Sequence, residues 1–85
     1  MKATMNKLIK MINNHIKADI IANSDNQLTF TKEFPLDNSF AARNIDADDF
    51  ANIVLFTLAE LNIKASLIDF NSLSNRTYQV NVIIA

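Results

Sequence analysis

His15 is the only histidine in the chain, and Asp19 lies close to it in sequence. One imidazole and one carboxylate do not make a zinc set. Serines are present, but no nucleophile-elbow sequence surrounds any of them. His15 therefore reads as a residue at the end of a helix. Asp46, Asp48 and Asp49 form an acidic group. Asp46 is a good N-cap, Asp49 has capping-box spacing, and Asp48 and Asp49 suit the positive end of a helix dipole. Capping accounts for all three without a metal. A carboxylate pair for glycoside hydrolysis would need a cleft that a domain this small seldom provides. Lys2, Lys7 and Lys10 give the first helix a modest basic side, but nucleic-acid binding usually brings more Lys and Arg, with aromatics to stack on bases. No catalytic residue, cofactor or metal is expected.

Composition narrows the classes further. The chain has 85 residues, a net charge of −1, no cysteine and no glycine. A chain of this length makes one domain, 1–85, and buries roughly 60–65% of its unfolded surface. Without Cys there is no disulfide, thiolate metal site or catalytic thiol. Without Gly there is no P-loop or dinucleotide fingerprint, and turns needing positive φ must use Asn or Asp. A near-neutral charge draws the chain neither to nucleic acid nor to an anionic membrane. No apolar run approaches a membrane span and no signal peptide is visible, so a cytoplasmic location is expected.

The longest element is Asp46–Ile63. Ile45 and Phe50 flank its cap as a hydrophobic staple, and Asn62 is the expected stop. Its apolar arc holds Phe50, Ala51, Val54, Leu55, Leu58, Ala59 and Leu61. The far side carries Ile53 and Phe56 among polar residues. Either the long connection or the other helix covers these two, or another chain does.

An earlier helix is expected over 3–14, with Met5, Leu8, Ile9, Ile12 and Ile16 on one stripe and Asn13–Asn14 as its exit. Alternation then predicts strands over 16–23 and 28–34, joined by Ser24-Asp25-Asn26. Pro35 ends the second strand. The linker 35–45 is long, with Phe40 and Arg43 conspicuous. It either carries the chain across the sheet with Phe40 plugging the core, or binds through Arg43. A second hairpin is expected from 63–71 and 77–84, turning at 72–76.

The halves 1–34 and 46–85 share this helix–hairpin order. At an offset of 47, Leu8, Ile16, Lys17, Ala18 and Ile21 fall on Leu55, Ile63, Lys64, Ala65 and Ile68, which makes an αββ repeat a candidate. The expected fold class is α+β, in the order α-β-β-α-β-β, with a four-stranded antiparallel sheet and two helices on one face.

The period of two then puts Ile21, Ile68, Phe70 and Ile83 on the open face, where they could gather at one end. A bulge near Asp69 would instead turn Phe70 inward. The last strand ends near the C-terminus, and an uncovered edge there could pair with another chain. Ile21, Ile53, Phe56, Ile68, Phe70 and Arg43 are thus the candidate protein-contact residues. The expected function is a small non-catalytic protein-binding domain, an inhibitor or adaptor, whose partner is another protein or a second copy. The alternative is nucleic-acid binding through the lysine side of the first helix and the open sheet face. Short, glycine-free, Asn-rich chains without motifs resemble accessory proteins of phages and other mobile elements, including anti-CRISPR-type inhibitors; the resemblance rests on size and composition.

Overall fold

The computed structural model describes residues 2–24, 26–34 and 45–85. Among them the order is α1 (Lys2–Ile16), β1 (Asp19–Ala22), β2 (Gln27–Glu33), α2 (Ala47–Glu60), β3 (Ala65–Ser72) and β4 (Thr77–Ile84). The four strands form one antiparallel sheet in the order β1-β2-β4-β3. This is the expected α+β architecture. The linker residues Phe40 and Arg43, with the roles suggested for them, lie outside the described residues.

Cross-strand register explains the core. Ile20, Phe30, Val80 and Phe70 form one row across the sheet, and Ala22, Leu28, Val82 and Leu67 form the next. Above these rows sit Ile12 from α1 and Phe50, Ala51, Val54 and Leu58 from α2, all buried. Phe50 meets Phe34 edge-on, with ring centroids 5.7 Å apart, and Phe34 in turn lies beside Tyr78.

The start of α2 follows the sequence. The Asp49 N–H donates to the Asp46 carboxylate at 2.9 Å, and the Asp46 N–H donates back to Asp49 at 3.1 Å. That is a complete capping box built from carboxylates. The Tyr78 hydroxyl donates to the Ile45 carbonyl at 2.9 Å, tying the residue before the cap to β4. At the other end, Asn62 takes φ 62°. Its N–H donates to Ala59, and that of Ile63 donates to Leu58. This pair of bonds is a Schellman motif, with Asn where Gly would be usual.

The end of α1 differs from expectation. Asn13 and Asn14 lie inside the helix, which runs on to Ile16 and shortens β1 to four residues. Ile16 is buried and extends the apolar stripe by a turn, so packing outweighs the local preference of Asn to stop a helix. The exit is instead Lys17, at φ 53°. Its N–H closes on the Asn13 carbonyl at 2.9 Å, and its own carbonyl accepts from the Lys32 ammonium at 3.1 Å. A left-handed lysine costs about 1–2 kcal/mol. Lys17→Gly removes that cost but adds unfolded-state entropy. The expected result is a net gain of roughly 0.5–1 kcal/mol, read as a higher denaturation midpoint at unchanged m-value.

The halves do share the helix–hairpin order, but one offset does not serve throughout. In the hairpins, 47 matches buried Ala18, just before β1, to Ala65, and Ile20 to Leu67, the last three all on the helix side. In the helices it sets buried Ile12 against exposed Ala59, whereas one residue earlier stands buried Leu58.

Candidate functional site: the β3 edge

β3 lies at one margin of the sheet and, among the described residues, pairs only with β4. Its register shifts between Leu67 and Asp69, with Ile68 as the extra residue. Before the shift, Leu67 opposes Val82; after it, Phe70 opposes Val80. Phe70 therefore belongs to the helix side, as a bulge near Asp69 would place it, and not on the open face where strict alternation would put it. One inserted residue reverses every later side chain. Position on the helix side does not bury it, for Phe70 remains 37% exposed and Leu67 38%. All residues from Ser66 to Ser72 are exposed.

The open face is organised by polar groups. Ile21, Thr29, Asn81 and Asp69 lie in one row across all four strands. The Asn23 amide donates to the Thr29 hydroxyl, which donates to the Asn81 side-chain carbonyl at 2.6 Å. The Asn81 amide then donates to the Asp69 carboxylate at 2.6 Å. Each group in this chain polarises the next. The ladder occupies the middle of the face and separates Ile21, on edge strand β1, from Ile68 and Ile83 on the far side. The expected gathering of Ile21, Ile68, Phe70 and Ile83 does not occur.

The six candidates thus fall in different places. Ile21, 59% exposed, marks the β1 edge. Ile53 and Phe56 sit on the solvent side of α2 and both remain exposed, Phe56 at 66%. Among the described residues nothing covers them, and the long connection, one of the covers expected, lies outside those residues. Ile68 and Phe70 belong to β3, and Arg43 is outside the described residues. Around β3 the structure adds two exposed apolar residues, Leu67 and, in the following turn, Leu73, beside Ile83 of β4, which alternation already places on the open face. Leu67 lies on the helix side yet stays exposed because β3 is marginal, and nothing in local pattern says which strand ends as the margin. The last strand, expected to offer a free edge, is paired on both sides by β2 and β3.

Near the beginning of β3, an open depression of about 650 Å³ lies against the end of α2. Leu55, Leu58, Ala59, Ile63 and Ala65 line it, with Asn62 and Lys64 as its polar members. It offers shape and apolar surface, and holds no acid–base pair. His15 is exposed at the end of α1, its Nδ1 3.1 Å from the Met11 carbonyl, the helix-end position expected of it. Among the described residues no three His, Cys, Asp or Glu side chains converge as a metal set, and no helix is long and apolar enough to cross a membrane.

The β3 margin therefore combines backbone left unpaired among the described residues with apolar side chains on both faces: Leu67 and Phe70 toward the helices, Ile83 on the open side, and Ile68 at the bulge between them. No family model, curated protein or solved structure matches the chain.

Proposed function

We propose that this chain is a small non-catalytic protein-binding domain, an inhibitor or adaptor, and that β3 is its contact surface. A single observation carries the reading. Among the described residues, five of the nine exposed large hydrophobic ones, namely Leu67, Ile68, Phe70, Leu73 and Ile83, cluster on β3, its turn and the adjoining strand. Isolated apolar residues on a surface are ordinary, whereas a group of them along an open strand is what strand-addition partners use. Backbone bonds would supply affinity and the flanking side chains specificity. The inhibitor role, of the kind carried by accessory proteins of mobile elements, belongs to the same proposal. Nucleic-acid binding is supported less, because the open face presents the carboxylates of Asp19 and Asp69 rather than cations, and phosphate contacts need the latter.

Affinity capture from the native host with wild-type bait and with a Leu67→Lys/Ile68→Lys double variant tests this. Both side chains are exposed, so circular dichroism should show the fold retained. Recovery of the partner should fall by about tenfold or more, as expected for loss of a central apolar contact. Undiminished recovery with this variant, combined with loss on Phe56→Lys, would move the contact to α2 and overturn the assignment to β3.

A further inference from the structure

The partner of the β3 margin can be read from the strand's own hydrogen-bonding pattern. The Lys64 carbonyl accepts from the Ala85 N–H, and the Leu73 N–H donates to the Thr77 carbonyl. Antiparallel neighbours bond through every second residue. Counting inward from these two bonds, with the shift at Ile68, turns the backbone groups of Ser66, Asp69 and Asn71 toward β4. Those of Ala65, Leu67, Phe70 and Ser72 then point outward, off the sheet. The same four residues oppose Ile84, Val82, Val80 and Tyr78, so their side chains are on the helix side.

These positions are symmetric about the midpoint between Ile68 and Asp69. A second β3 placed antiparallel about a twofold axis through that midpoint sets Ala65 against Ser72 of the other copy, and Leu67 against Phe70. Each outward N–H and C=O then meets its counterpart, and helix-side residues meet helix-side residues. A bulge usually spoils an edge for pairing. Here it falls on the axis, so both strands carry the same extra residue at the same level and stay in step. Registers displaced from this one bring the bulge of one copy against regular strand in the other. We propose that β3 pairs with β3 of a second copy in this register, giving a twofold dimer with a continuous eight-stranded sheet. Such a contact is isologous, with Leu67–Phe70 occurring twice. The proposal rests on the reading of β3 as the contact surface and names its occupant.

Light scattering on the purified chain, from low micromolar to near-millimolar concentration, should give twice the 9.6 kDa protomer mass. Leu67→Pro removes an outward N–H and leaves the bonds to β4 in place. It should yield a monomer with unchanged circular dichroism. Ser72→Pro removes an outward N–H at a polar position and serves if Leu67→Pro does not fold. The register has its own test, since the chain has no cysteine. Opposed residues with Cα atoms ~5.5 Å apart fall within disulfide range. A mixture of Ala65→Cys and Ser72→Cys proteins should cross-link under oxidation, while neither alone should. A dimer that survives both proline variants overturns the proposal, as does cross-linking of either single variant alone in place of the mixture. A strict monomer whose host partner is captured through β3 also overturns it, and leaves the protein-binding function standing with a foreign strand as occupant. A strict monomer without β3-dependent capture removes both.

Discussion

Phe50→Ala is expected to cost about 3–5 kcal/mol, the range for emptying a large aromatic from a core. Phe50 is fully buried at the first turn of α2 and packs edge-on against Phe34. Its loss opens a void where the capping box, the Tyr78 hydroxyl bond to Ile45 and the end of β2 converge. Domains are commonly stable by only ~5–15 kcal/mol, and an 85-residue chain with a small core belongs toward the lower part of that range. Equilibrium urea unfolding should therefore find the variant partly or wholly unfolded at 37 °C. A midpoint within experimental error of wild type would show that the α2–sheet layer is not the centre of the core.

Ile12→Ala is the second large effect, with an expected loss of about 2–5 kcal/mol. Ile12 is the one fully buried side chain of α1 among those described, while Met5, Leu8 and Ile9 are half-buried. The helix is thus held chiefly by its last turns, through Ile12 and Ile16. Removing Ile12 should release α1 before the rest. In native-state hydrogen exchange, amides of α1 should lose protection while those of β2, β4 and α2 keep most of theirs. Equal loss of protection in every element would mean that α1 and the sheet unfold as one unit and that this division of the fold is mistaken.

Both variants concern packing that local sequence already implied. Phe50, Val54 and Leu58 recur at helical spacing, and Tyr78, Val80 and Val82 alternate, so their buried faces were legible from period alone. The Asp46–Asp49 cap and the Asn62 exit were equally legible, because each depends on a few neighbouring residues and on the unpaired groups at helix ends. The exit of α1 was not. Asn13 and Asn14 carry the local signal for a stop, yet burial of Ile16 contributes more than that preference, and the helix continues to Ile16 and exits at Lys17.

The candidate site shows the same division. A helical wheel could place Ile53 and Phe56 away from the buried arc, but it could not say what covers them. Phe70 could not be placed, since a single extra residue at Ile68 reverses its side and the bulge is defined only against β4. Leu67 has the alternation of a covered strand residue and is left exposed by its position in the sheet. Sequence alone determined the elements, their order and, outside β3, which face of each is apolar, because those follow from interactions within one helical turn or two strand residues. Tertiary structure alone decided that β4 is interior and β3 marginal. Strand order is a choice among distant pairings with similar local patterns, and only the packing of both helices over the assembled sheet distinguishes them.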